Sequence, residues 1–159
     1  MKLTTSTNDY FSKTAVKLLD NWITIQAYLF LKGYDSLEIK VYKKAYDYFS
    51  KNPLDFDGAT MTEDLCDLYN LDLDAMIHDY FYIVYNVSSS YNYMALADAL
   101  FYHETLRKGK SSWNAGFRRF LLKLKSFLGF SMYSRLIMKR VFTEQNKGDF
   151  INDFKTLSK

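Results

Sequence analysis

Leu73-Asp74-Ala75-Met76-Ile77-His78-Asp79-Tyr80-Phe81-Tyr82, followed sixteen residues after Tyr82 by Asp98 in Leu96-Ala97-Asp98-Ala99-Leu100-Phe101, decides how this chain is read. Residues four apart on a helix share a face, so Asp74, His78 and Tyr82 form one polar stripe on an otherwise apolar helix. Asp79 projects to the side of that stripe. The turn through Ser88, Ser89 and Ser90 is short enough to imply an antiparallel helical hairpin, with Asp98 on its second arm. A carboxylate bound to one imidazole nitrogen fixes the tautomer and makes the other nitrogen a better base. Asp79, turned aside, is a candidate ligand for Ca²⁺, which prefers oxygen donors.

Outward from this stretch the pattern stays helical. Thr7 or Asn8 can cap a helix to about Leu31, with Phe11, Leu18, Leu19, Trp22 and Leu29 facing inward. Gly33 ends it. Asp35 or Ser36 opens a second helix to about Phe49, with Ile39, Tyr42, Tyr46 and Phe49 as its apolar stripe. Residues 51–59 hold the only proline beside a glycine and two aspartates, and form the clearest loop. Thr60-Met61-Thr62-Glu63 fits a capping box ahead of a short helix with Leu65 and Leu68. Asn70 or Asp72 opens the helix of the quoted stretch, which runs to about Val87. The helix with Asp98 spans Tyr91 to about Lys108. Others run from Ser111 or Ser112 to Leu128 and from Ser131 to about Thr143, and Gly148 precedes a terminal one. The expectation is an all-α, single-domain bundle of six to eight helices, with an N-terminal helical hairpin (1–50), a core (51–143) and a C-terminal tail (144–159).

Composition agrees with one folded domain. The chain has 159 residues, 48% apolar and 25% charged, with thirteen Phe, fourteen Tyr and only six Gly. The single Cys66 excludes an internal disulfide and a thiolate zinc site. The N-terminus lacks the apolar core of a signal peptide, and no apolar run is long enough to span a membrane. Charge is lopsided: residues 1–104 carry 8 Lys/Arg against 15 Asp/Glu (−7), and residues 105–159 carry 13 against 3 (+10). Either the two halves attract each other within one fold, or the basic end meets an anionic partner. Phe117-Arg118-Arg119-Phe120-Leu121-Leu122-Lys123-Leu124-Lys125 mixes rings, leucines and cations as interfacial helices do, and reads equally as a core helix with a solvated side. Nucleic acid is the weaker reading, since no recognised module accompanies the charge. Two metal readings fail: a His-Asp phosphohydrolase needs a further upstream histidine, and His103 lies about 140° from Asp98 in helical phase.

His-Asp-x-x-Tyr on one helix with Ala-Asp-x-x-Phe on its partner resembles the core of the phospholipase A2 superfamily, and most closely its disulfide-free versions in viral capsid proteins. The resemblance implies His78 as general base, Asp98 as its orienter, Tyr82 in support and Asp79 as the calcium ligand, acting on phospholipid esters. Asp57-Gly58-Ala59-Thr60, His78-Asp79-Tyr80-Phe81-Tyr82, Ala97-Asp98-Ala99-Leu100-Phe101, Met132-Tyr133 and Arg140-Val141-Phe142 also occur in the order seen in a family of small bacteriophage and bacterial proteins. That likeness covers about residues 55–142. The pattern departs from both families: one glycine, Gly58, stands where a glycine-rich calcium loop belongs, and Met61 replaces a proline. Two functions follow as expectations. One is calcium-assisted phospholipid hydrolysis. The other is a non-catalytic virion or accessory protein whose basic and aromatic surfaces bind other virion proteins or an anionic phospholipid surface. Both imply a bacteriophage virion or the bacterial host cytoplasm.

Overall fold

Gly33 sets the first observable corner. In the computed structural model, which describes residues 22–52, 55, 73–87, 90–109, 111–113, 115–117, 119–120 and 143–159, its φ is +81°, a left-handed value open to glycine. It closes helix α1 (Trp22–Leu31) by a Schellman motif: Tyr34 N–H donates to the Leu29 carbonyl at 3.1 Å and Gly33 N–H to that of Phe30 at 3.0 Å. Leu29 and Tyr34, the apolar pair that such a motif brings together, are both buried. Every regular element among the described residues is a helix, and none is long and apolar enough to cross a membrane.

Contacts divide the chain between Asp79 and Tyr80 into two compact units. In the first, α2 (Ser36–Lys51) starts at Asp35, whose carboxylate accepts from Leu37 N–H at 2.8 Å and Glu38 N–H at 2.9 Å. Glu38 returns the bond, its Oε2 accepting from Asp35 N–H at 2.6 Å, which completes a capping box worth about 1 kcal/mol. The expected stripe of Ile39, Tyr42, Tyr46 and Phe49 is buried. Trp22 packs on Tyr46 with ring centroids 5.2 Å apart, and Tyr34 meets Tyr42 edge-on at 5.4 Å, so α1 and α2 are held by aromatic contacts.

Helix α3 (Leu73–Val84) carries the quoted stretch. Its residues from Leu73 to His78, and Tyr80 and Phe81, are buried, as befits a helix that is apolar nearly all round. It stops three residues before the expected Val87, because Asn86 turns left-handed at φ +54°.

In the second unit, α4 (Tyr91–Arg107) follows Ser90, which holds the cap position without a side-chain cap bond. Its buried face comprises Met94, Ala97, Asp98, Leu100, Phe101, Glu104 and Thr105. Residues 112, 113, 115–117, 119 and 120 are also helical. Helix α5 (Glu144–Leu157) begins four residues before Gly148 and runs through it, where the sequence suggested a start after the glycine. Thr143 supplies the reason: its hydroxyl caps the helix by accepting from Asn146 N–H at 3.1 Å. Phe150, Asp153 and Leu157 then anchor α5. Phe150, fully buried, sits edge-on to Phe81 at 5.2 Å and Tyr93 at 5.4 Å and beside Phe154 at 5.7 Å. Burying such a ring contributes about 1.5–3 kcal/mol, enough to offset the roughly 1 kcal/mol that an interior glycine costs a helix. The expected Asp57-Gly58-Ala59-Thr60 segment, the 60–63 capping box, Cys66, the N-terminal part of the first helix and the basic stretch from 121 to 142 lie outside the described residues.

Candidate functional site

The polar stripe on α3 is present as a buried feature. Asp74 and His78 are buried and Tyr82 is half-buried, following the four-residue steps of the sequence. Their neighbours Leu73, Met76, Ile77 and Phe81 fill the rest of the helix surface with apolar contact. A buried imidazole and buried carboxylates in such a setting need partners, because an unpaired polar group there costs a few kcal/mol.

In the first unit, His78 Nδ1 lies 3.3 Å from Asp79 Oδ1, with the imidazole side chain 9% and the carboxylate 13% exposed. A carboxylate only accepts, so this contact places the proton on Nδ1 and the basic lone pair on Nε2. The resemblance assigns Asp79 to a cation. Within α3, one of its oxygens faces the imidazole.

In the second unit, Tyr82 donates its hydroxyl to Asp98 Oδ1 at 2.8 Å, and Asp98 is buried. This bond joins α3 to α4 and brings together the last polar residue of the first motif and the aspartate of the second. Tyr82 and Asp98 are thus paired, as His78 and Asp79 are.

Sequence reasoning overlooked two buried polar pairs in the second unit. Tyr85, next to the end of α3, donates to Asp153 Oδ2 on α5 at 2.5 Å. Burial, then the bond to Asp153, hold the Tyr85 phenol well above the ordinary tyrosine range, so it stays protonated. Glu104 and Lys108 form a buried ion pair at 3.1 Å on α4. The four-residue spacing of Glu104 and Lys108 was a visible signal. Nothing local connects Tyr85 to Asp153. His103, set aside as a ligand on helical phase, has a half-exposed side chain.

Calcium requires about six to eight oxygen ligands. Among the described residues no group of three or more His, Cys, Asp or Glu side chains is placed to hold a metal ion. Asp74 and Asp79 are five positions apart on α3, about 140° around the helix, and do not converge. The described residues therefore do not fit the ion on their own.

No family model, no curated protein and no solved structure matches this chain.

Proposed function

We propose that this chain is a phage-type protein built on a phospholipase A2-like helix pair, with His78 as the general base of phospholipid ester hydrolysis. The observation that carries the reading is the pairing of His78 Nδ1 with its neighbour Asp79 on α3. Asp79 orients the ring and keeps the proton on Nδ1, which leaves Nε2 to take a proton from water. The resulting hydroxide adds to the ester carbonyl. Collapse of the tetrahedral adduct breaks the acyl C–O bond, and the imidazolium returns its proton to the departing alcohol. Carboxylic acid and lysophospholipid are the products, and the histidine is restored.

The test is release of fatty acid from phospholipid vesicles, measured with calcium and with chelator. Turnover that disappears in His78→Gln, with the helical circular dichroism retained, supports the reading. Absence of turnover by the parent chain at every calcium level overturns it.

A second reading, a non-catalytic virion or accessory protein, is favoured by a different observation. Trp113 and Phe120 are exposed, as large rings kept for a partner would be.

A further inference from the structure

Trp113, Phe117 and Phe120 are 74%, 38% and 59% exposed on helical residues. At 100° per residue they fall within an arc of about 60°. Trp113 and Phe117 stack in parallel, with ring centroids 5.6 Å apart and planes 3° from each other. Ala115, fully buried, lies on the opposite side of that helical turn. The guanidinium of Arg119 is drawn aside over the Tyr102 ring at 5.4 Å. A core helix turns its large side chains inward and its small or polar ones outward. Here an alanine faces in and three rings face out.

The surrounding sequence selects the occupant. Between residues 105 and 143 there are ten Lys/Arg and no Asp/Glu. One of these cations, Lys108, is taken by Glu104. The span of sequence that holds the exposed aromatic stripe is therefore strongly positive. Rings with an amphipathic or apolar body settle at the headgroup boundary of a bilayer, and Lys/Arg are attracted to anionic phosphate.

We infer that the Trp113–Phe117–Phe120 stripe is a docking face for an anionic phospholipid bilayer. The identity of the partner rests on the lipid-directed reading above, while the docking itself requires no catalysis. The stripe inserts its rings at the headgroup level, and the net positive charge of this span of the sequence adds electrostatic attraction to the anionic surface.

The experiment is flotation of the full chain with vesicles of mixed phosphatidylglycerol and phosphatidylcholine, and with vesicles of phosphatidylcholine alone. The anionic vesicles should retain the chain, with a blue shift of tryptophan emission, and roughly 1 M salt should release much of it, because screening then acts over about 3 Å. The triple variant Trp113→Ser/Phe117→Ser/Phe120→Ser should bind at least about tenfold more weakly. Because the three rings are exposed, its circular dichroism and melting should stay close to those of the parent chain. If the triple change unfolds the protein, Trp113→Ser alone carries the test, with a loss of about threefold. Equal binding by the variant and the parent, or equal binding to both vesicle types, overturns the inference. So does self-association of the parent, lost in the variant, without vesicle binding, which would make a second copy the occupant. His78→Gln separates this inference from the hydrolase reading: it should float with anionic vesicles as the parent does, while fatty acid released from those vesicles reports on catalysis alone.

Discussion

Replacing Tyr85 with Phe removes one hydroxyl from the interior of the second unit and leaves the ring. Tyr85 and Asp153 are each 5% exposed, and their oxygens are 2.5 Å apart. The ring contacts of Tyr85 with Phe81 at 5.6 Å and Phe150 at 6.3 Å remain available to phenylalanine, so the change removes the hydrogen bonds of the hydroxyl, to Asp153 first and then to Tyr80. A buried bond to a carboxylate is worth about 1.5–3 kcal/mol. For a chain of this length that lowers the melting temperature by roughly 3–12 °C. The pH dependence is a second, sharper signature. Burial and Asp153 raise the folded-state value of Tyr85 above its unfolded value, so its contribution is fully present below about pH 10. Above that pH the unfolded tyrosine loses its proton while the folded one keeps it. The folded state then binds more protons, and stability falls by about 1.4 kcal/mol per pH unit from this residue. Tyr85→Phe lacks that slope. The stability gap between the parent and Tyr85→Phe should therefore be constant from pH 7 to 9 and shrink above pH 10. Urea denaturation followed by circular dichroism at pH 7, 9, 10 and 11 measures both. Equal stability at pH 7, or a gap unchanged at pH 11, would refute the reasoning.

Glu104→Ala leaves Lys108 buried without its carboxylate and should cost about 3–5 kcal/mol, read as a lower urea midpoint, while Glu104→Leu combined with Lys108→Met should recover most of the loss. Gly148→Ala should stabilise the chain by about 0.5–1 kcal/mol, because a Cβ there meets nothing within 4 Å and the residue is inside α5; a loss of thermal stability would argue against a helix continuous through that position.

Local signals were the legible ones. Asp35, one of the two starts read for α2, and the Ile39–Tyr42–Tyr46–Phe49 stripe give the helix its start and its buried face, because an N-cap and a 3.6-residue period act within a few residues of each other; the reciprocal bond from Glu38 was not read. The residues of the candidate site were visible in their local motifs, but the sequence set Asp98 against His78, and the bond of Tyr82 to Asp98 and the contact of His78 with Asp79 were not read. Gly148 misled because a glycine in isolation reads as a breaker, whereas its helix is held by Phe150, whose burial comes from Phe81 and Tyr93 elsewhere in the chain. Tyr85 and Asp153 are 68 positions apart, and no periodicity connects them. The outward-facing Phe117 and Phe120 were ambiguous for another reason. A helical stripe of rings has the same spacing whether it faces a core or a membrane, and only exposure separates the two.

The His78–Asp79 and Tyr82–Asp98 pairs make different demands on the fold. Tyr82 and Asp98 tie α3 to α4, a role that any buried, satisfied polar pair can serve and that an apolar pair of similar volume can often replace without loss of stability. His78 and Asp79 are neighbours on one helix, and a contact at 3.3 Å between adjacent residues ties no second element to the first. Such a contact orients a ring and fixes a proton far more than it holds a fold together. A histidine buried in a helix that also buries Leu73, Met76, Ile77 and Phe81 is a local conflict between hydrophobic pattern and residue type. Conflicts of that kind concentrate where a protein does chemistry. That weight rests on His78 itself and supports the general-base reading.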